Sequence, residues 1–278
     1  MAITSIADLL AGLRPVTVFT KAGVDNSAYW RLHSSSYYGP NPAVLASVQT
    51  GEALTSWPGG QIAFPPAVAG QSIYLAELEA YHSTISIPFG MDSVVIYDRL
   101  WHAGLFDDSL LTVQTVDSVA WPARDRNGST DGEGVIIFLE YPDTIPTYQS
   151  QYVMNYTNST GVSGRVGTAQ AAPVSGPRLT DSFTLQAGDT GVRSVQSIQN
   201  IGGAGSAART VLWAGRKIVH MPMQTDEPTN PNGYGKRGAL AMGLPKLWDD
   251  SVPVPHYCVI GGSTNLPIFD VRVRWAQG

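Results

Sequence analysis

The sequence predicts an all-β, mainly antiparallel protein: a β-sandwich or jelly-roll-like domain with a short N-terminal helix or arm and a long loop-rich segment. The first sign is a series of short runs rich in β-branched and aromatic residues, which favour strands. Clusters of glycine, proline and asparagine separate these runs. In the last run, Ile268 to Trp275, apolar and polar residues alternate. That alternation predicts a strand with one buried face and one solvated face.

A short amphipathic helix is expected at the start of the chain. The Ser5 hydroxyl can cap it, and Asp8 lies in the first turn, where a negative charge is favourable. Gly12 and Pro15 end it. Four apolar residues recur at helical spacing: Ile6, Leu9, Leu10 and Leu13. A helix this short is not stable alone, so we expect it to pack against its own domain or a neighbouring subunit.

The loop-rich segment follows the first strand, which is expected at Val16 to Thr20. Residues 33–70 are interrupted by proline and glycine, which disfavour central strands. A loop this long is uncommon as a plain connection. We therefore expect a packed arm or a contact loop. Its aromatic residues and Trp30 would form a sugar-stacking platform, an interface anchor or a plug for the end of the sandwich.

The remaining strand candidates set the domain organisation. They are Ile73–Ile87, Val94–Tyr97, Leu110–Val119, Val135–Leu139, Tyr152–Tyr156, Ser182–Leu185, Val192–Ile198, Thr210–Trp213, Lys217–Met221 and His256–Ile260. We expect an N-terminal helix and arm over residues 1–25 and a β domain over residues 26–278. A stretch of small residues near 168–178 is a candidate division between two sheets or subdomains.

Charge and composition exclude several functional classes. Charged residues make up 14% of the chain, against about 25% in ordinary soluble domains. The 17 lysines and arginines are scattered and the net charge is −5, so a nucleic-acid-binding face is not expected. A single cysteine rules out an internal disulfide, and no apolar stretch is long enough for a membrane helix. A charge-poor surface fits one that partners cover, or an ordinary extracellular β protein.

Metal chemistry has two weak candidates in the sequence. His256 and Cys258 share a face of a predicted strand, but two ligands do not make a zinc site. The segment Asp125 to Glu133 places oxygen-bearing side chains at alternate positions, as calcium loops do. Its glycine is misplaced for an EF-hand, so a solvated hairpin loop is the expected structure. The sequence therefore predicts no metal site.

Catalytic signatures are also missing from the sequence. There is no nucleophile elbow, and the glycine-rich segment 202–206 lacks the lysine of a phosphate-binding loop. A glycosidase pair assembled from Glu77, Glu79 and Glu140 stays open at this point. We expect a protein that is not an enzyme and that needs no cofactor.

Two passages resemble virion structural proteins of tailed bacteriophages, of the kind encoded among head genes. One is IADLLAGLRP at residues 6–15 followed by VFTK at residues 18–21, and the other is LQAGDTGVRSV at residues 185–195. The resemblance implies a head decoration (cement) protein, a class that is often β-rich and trimeric and clamps capsid joints. Its expected partners are the major capsid protein, other virion subunits and further copies of itself. Its expected location is the virion, assembled in the bacterial host cytoplasm.

Two other functions stay open beside the decoration protein. One is a tail, neck or other minor virion subunit, and the other is a β-fold carbohydrate-binding protein or glycosidase. For the leading hypothesis, the expected partner contacts come from the helix, the first strand and the aromatic loop. These residues are Leu9, Leu10, Leu13, Val18, Phe19, Tyr37, Tyr38 and Trp57.

Overall fold

The computed structural model confirms a β-sandwich-like, mainly antiparallel all-β fold. It describes residues 3–22, 32–34, 51–57, 60–83, 90–140, 150–171, 179–203, 209–227, 230–260 and 268–278. The helices are α1 Ile6–Ala11 and α2 Ala239–Met242. The strands are β1 Leu13–Ala22, β2 Leu32–Ser34, β3 Glu52–Ala53, β4 Ile73–Ser83, β5 Gly90–Asp107, β6 Gln114–Thr115, β7 Val135–Glu140, β8 Ser150–Asn158, β9 Arg165–Ala171, β10 Leu179–Ser182, β11 Val192–Asn200, β12 Arg209–Pro222, β13 Gln224–Glu227, β14 Asn230–Gly238, β15 Lys246–Leu247, β16 Pro253–Ile260 and β17 Ile268–Gln277.

The N-terminal helix forms where the sequence predicts it. The Ser5 side chain accepts a hydrogen bond from the Asp8 amide, and the Asp8 carboxylate accepts two from Thr4. These bonds satisfy amides that the first turn leaves unpaired. The amide of Gln277 in β17 donates to the Gly12 carbonyl, which ties the end of α1 to the last strand.

One sheet contains the two ends of the chain. Its order is β1-β17-β4-β14-β13, with β15 paired to β4. In β17, Phe269, Val271, Val273 and Trp275 are fully buried, whereas Arg272 is exposed. The predicted half-solvated strand is therefore confirmed. β1 pairs with β17 from Val16 to Ala22, so the segment after α1 is an edge strand of this sheet.

A second sheet closes on itself as a barrel. Its order is β12-β7-β10-β2-β16-β5, and β5 pairs again with β12. The short strand β3 pairs with the C-terminal half of β5, at Trp101 and His102. Closure removes most of the free strand edges that a sheet would otherwise expose. A third sheet, β6-β11-β8-β9, packs against the other end of the barrel.

Two cores hold the three sheets together. One fills the space between the barrel and the β1–β17 sheet, with Val94 and Tyr257 on the barrel side and Leu78 and Val273 opposite. The other fills the space between the barrel and the third sheet, and it includes Trp101. The run Val135–Leu139 is continuously apolar because both of its faces are buried. Val135, Ile137 and Leu139 belong to the core shared with the third sheet, whereas Ile136 and Phe138 join a separate cluster around Trp213.

Several strand predictions need correction. Most of Leu110–Val119 is not strand, because Leu110, Leu111 and Val113 lie in an exposed loop and only β6 pairs. Thr210–Trp213 and Lys217–Met221 are parts of one strand, β12, since Gly215 continues the pairing with Ile136.

Several strands were not predicted, namely β2, β3, β9, β13, β14 and β15. β9 covers part of the small-residue stretch near 168–178. β14 was missed because it is glycine-rich. A side chain at Gly235 would crowd Met221 and the Pro222 carbonyl, so glycine suits this position within the sheet.

Candidate interaction surfaces

An exposed apolar surface lies where α1 meets α2. We call it the helix patch, and it surrounds a hollow of about 400 Å³. The residues that line the hollow are Ile3, Thr4, Ser5, Ile6, Leu9, Ala239, Leu240, Gly243 and Leu244, none of them charged. Leu240 is 90% exposed and Ile6 is 67% exposed. Leu10, on the same helix, is 63% exposed. This uncharged, exposed apolar surface is a candidate interaction site.

Local backbone geometry holds the helix patch in place. α2 follows β14 directly and ends at Gly243, whose φ of 70° is left-handed and favours glycine. The Leu244 amide donates to the Ala239 carbonyl and closes this short helix. The two helices start from opposite ends of the sequence, and the β1–β17 sheet brings them together.

The predicted contact residues lie in several environments. Leu10 is exposed on α1, whereas Leu9 and Leu13 are partly buried. Val18 is 55% exposed on β1. Phe19 is partly buried against the core below the β1–β17 sheet.

The predicted contacts of the aromatic loop have a different outcome. Trp57 is buried, with its ring 4.5 Å from the Arg99 guanidinium carbon and 5.0 Å from the His102 ring centroid. Because the ring is buried, it is not available as an exposed stacking platform. Tyr37, Tyr38 and Trp30 lie outside the described residues.

The outer face of the β1–β17 sheet carries a polar lattice. The Lys236 ammonium lies 2.6 Å from one Glu77 oxygen, and Arg274 Nε lies 3.8 Å from the other. The hydrogen bond from Lys236 lowers the pKa of Glu77. Beside it is a hollow of about 270 Å³ lined by Glu79, Tyr81, Tyr234, Asp270 and Arg272. Two half-exposed tyrosines with neighbouring carboxylates and a guanidinium are groups that can contact a sugar ring.

A buried ion pair occupies the barrel wall. Arg99 and Glu140 are almost fully buried, with Nη1 and Oε2 3.1 Å apart. The Arg99 guanidinium also lies 5.0 Å from the Trp213 ring centroid. The charge of Glu140 is therefore balanced by Arg99 inside the protein, whereas Glu77 and Glu79 lie on the outer face of another sheet. The structure separates Glu140 from Glu77 and Glu79, which line one hollow on the outer face of the β1–β17 sheet.

A second buried carboxylate fixes the loop that precedes β16. Asp98 accepts hydrogen bonds from the Ser251 hydroxyl at 2.9 Å and from the Val252 amide at 2.8 Å. The Arg124 and Arg216 guanidinium groups approach it at 3.4 and 3.6 Å. The buried Asp98 carboxylate therefore has both hydrogen-bond donors and positive charges around it, as a buried charge requires. These contacts hold the loop before β16 in place.

Two buried histidines border the Arg99 guanidinium. His256 is stacked on Trp213 with ring centroids 4.9 Å apart, and His102 packs against Trp57. Burial, with the nearby positive charge of Arg99, lowers the pKa of both imidazoles to about 3. They are neutral near pH 7. The side chain of Cys258, the other half of the predicted pair, lies outside the described residues.

The segment from Asp125 to Glu133 is a tightly hydrogen-bonded loop. The Asp125 carboxylate accepts bonds from the amides of Asn127, Ser129 and Glu133 and from the Ser129 hydroxyl. Burial raises the pKa of Asp125, but these hydrogen bonds outweigh it and the net pKa is lowered. Because the carboxylate serves protein donors, the loop is built as a structural turn. Within the described ranges, no three metal-ligating side chains are grouped.

The sequence did not predict a further polar cluster, at the turn between β10 and β11. Arg165 binds Asp189 through two nitrogens, each 2.9 Å from a carboxylate oxygen. The Tyr156 hydroxyl and the Asn158 amide also donate to Asp189. These bonds, the Arg165 pair first, lower the pKa of Asp189 to about 2. In the sequence, this cluster was marked by the Gly-Asp-Thr-Gly turn at residues 188–191, which contains Asp189.

The comparisons with known proteins give only distant likenesses. No family model matches the chain, and no curated protein matches it either. Among solved structures, the chain is similar to the VP2 subviral particle of infectious bursal disease virus, with 8% identity and a TM-score of 0.21. That match covers 95% of this chain and 80% of the other.

A second structure of the same virus, of the Gx strain, is similar at 7% identity and a TM-score of 0.20, again over 95% and 80%. At these scores the likeness carries no weight in the proposals that follow. Among the helices that the structure describes, none is long and apolar enough to cross a membrane.

Proposed function

We propose that the chain is a structural virion protein that binds and stabilises a phage capsid through protein–protein contacts, as a decoration or cement protein does. It acts by covering surface, without catalysis and without a cofactor. Its proposed partners are the major capsid protein or other virion subunits. Its proposed location is the virion, after assembly in the cytoplasm of a bacterial host.

The helix patch is the observation that carries this proposal. Leu240, Ile6 and Leu10 are each more than half exposed, and the hollow between the two helices has no charged lining residue. Burying such surface is favourable by about 25 cal/mol per Å². A decoration protein repeats its contact at many equivalent sites on a shell. Modest individual contacts then become strong when copies are linked.

Cosedimentation with empty phage shells tests the proposal. Leu240→Asp adds a charge to the helix patch without changing a buried position, and we expect it to reduce shell binding at least about tenfold. The matched control is Leu111→Asp, on the loop before β6, where the leucine is 46% exposed. The control is expected to bind as the natural protein does. Equal binding by both variants, or no binding by the natural protein, would reject the proposal.

The same experiment separates a tail or neck subunit from a decoration protein. A tail or neck subunit would ignore closed shells and assemble into rings as a purified protein. Point variants are preferable to removal of residues 1–20, because that deletion would also remove most of β1 from its sheet. A folded variant keeps the loss of binding interpretable.

A carbohydrate-binding module is the second candidate function. The hollow lined by Tyr81 and Tyr234 favours it, since exposed aromatic rings beside carboxylates are typical of sugar contacts. Binding to a glycan array, lost in Tyr234→Ala but kept in Leu240→Asp, would select this function. An array without signal would leave the structural proposal.

A further inference from the structure

The strand β1 is an open edge of its sheet. It is ten residues long and pairs with β17 on one side. In the part of the chain that the structure describes, no backbone group hydrogen-bonds to its other side. An edge of this length presents a row of amides and carbonyls to which another strand can pair.

The other sheet ends in the described residues are short or covered. β13 has four residues, and β3 and β6 have two each. β9 is longer, but Thr168 exchanges two backbone hydrogen bonds with Thr184, at 3.1 and 2.8 Å. The middle of β1 also lacks the charged side chains that would oppose strand pairing, since Arg14 and Lys21 lie near its ends. The five residues Val16 to Thr20 between them are uncharged.

We propose that β1 pairs with the β1 of a second copy of this chain, antiparallel about a two-fold axis through Val18. In an antiparallel pair, residues directly opposite each other have their side chains on the same face of the sheet. A two-fold axis that relates two identical strands must therefore lie between the two copies of one residue, which face each other. This axis places residues 16–20 of the two copies opposite each other in the regular part of β1. Before Val16 the strand is irregular, and Pro15 has no amide hydrogen to donate. The pairing extends the β1–β17 sheets of two molecules into one.

The side chains of β1 are complementary to themselves in this register. Thr17 lies opposite Phe19 of the second copy, so a small side chain meets a large one twice. A hollow of about 410 Å³ beside Thr17, lined also by Phe64 and Val68, leaves room at this end of the strand. Val18 lies opposite its own copy, a β-branched pair that suits adjacent strands.

Charge also favours pairing between two copies. In the Val18 register, the residues that face each other, Val16 to Thr20, are all uncharged, so no like charges are opposed. On the outer face, Val16 and Val18 are 43% and 55% exposed and would be covered. Main-chain hydrogen bonds supply affinity in such strand addition, and the alternating side chains supply the register.

This pairing rests on the proposed function, because it names the partner in one of the contacts of a surface-covering protein. It is tested without shells, by sedimentation equilibrium of the full chain. We expect a dimer whose Kd rises at least about tenfold in Val18→Lys, which sets two lysines directly opposite each other. The matched control is Val162→Lys, in the turn after β8, where the valine is 51% exposed. It should leave the Kd unchanged.

Cysteine pairing tests the register itself. In a Cys258→Ala background, mild oxidation of Val18→Cys is expected to give disulfide-linked dimers, since opposed Cβ atoms lie within bonding reach. Val16→Cys should not, because Val16 lies opposite Thr20. A chain that stays monomeric at all concentrations overturns the pairing. So does a dimer or trimer that Val18→Lys leaves intact and Val18→Cys does not cross-link.

The two proposals fail in different ways. A monomer that cosediments with shells through the helix patch contradicts the β1 pairing and keeps the proposed function. A dimer that is cross-linked at Val18 but ignores shells keeps the pairing and rejects the proposed function.

Discussion

His256 should make the protein lose stability in mild acid. Burial of its imidazole between Trp213 and Tyr97, together with the nearby Arg99 charge, lowers its pKa to about 3. In the unfolded chain the pKa returns to about 6.5. Between these values the unfolded state binds more protons, so the free energy of unfolding falls as the pH drops from 6.5 towards 3.

The size of this effect follows from the two pKa values. At pH 4.5 the unfolded imidazole is almost fully protonated and the buried one is not. The difference is about 3 kcal/mol of stability, present at pH 7.5 and lost at pH 4.5. His256→Gln removes the titrating group. The variant should therefore lose about 3 kcal/mol less than the natural protein over this range, whatever its stability at neutral pH.

Urea unfolding at pH 7.5 and pH 4.5, followed by tryptophan fluorescence, measures the effect. His220→Gln is the matched control, because His220 lies on β12 with an exposed side chain. That control should keep the acid dependence of the natural protein. If His256→Gln loses as much stability in acid as the natural protein does, the argument from the buried neutral imidazole is wrong. His256→Asn provides a second variant should glutamine not fit beside Trp213.

Two further substitutions test the interior. Glu140→Gln leaves the Arg99 charge without the Glu140 carboxylate, and the free energy of unfolding should fall by about 3 kcal/mol. A shift of the urea midpoint measures this loss. An unchanged midpoint would show that the ion pair does not stabilise the fold. Gly132→Ala would drive a Cβ into the Val192 carbonyl, whereas Gly188→Ala has the same left-handed backbone but open space around it. Thermal unfolding should show a larger fall in Tm for Gly132→Ala, and equal falls would contradict the crowding argument.

The sequence predicted best those elements whose signal is local. The alternation of β17 and the Ser5 cap of α1 each depend on a few neighbouring residues, and both are confirmed. β14 was missed because its glycines give no alternation, although they suit the close approach to Met221. The unity of β12 was missed because Gly215 looks like a break in the sequence.

The surfaces were harder to predict because they join distant parts of the chain. Leu9 was expected at a contact, but Leu240, which lines the same hollow, lies far from it in the sequence and no local pattern marks it. Trp57 looked like an exposed anchor because its loop is rich in proline and glycine. Its ring is instead buried against Arg99 and His102, a contact that only the folded barrel creates.

Electron cryomicroscopy of empty phage shells mixed with the purified protein tests surface covering most directly. We expect added density at the joints between capsid subunits, with α1 and α2 turned towards the shell. Bare shells beside unbound protein at saturating concentration would contradict it.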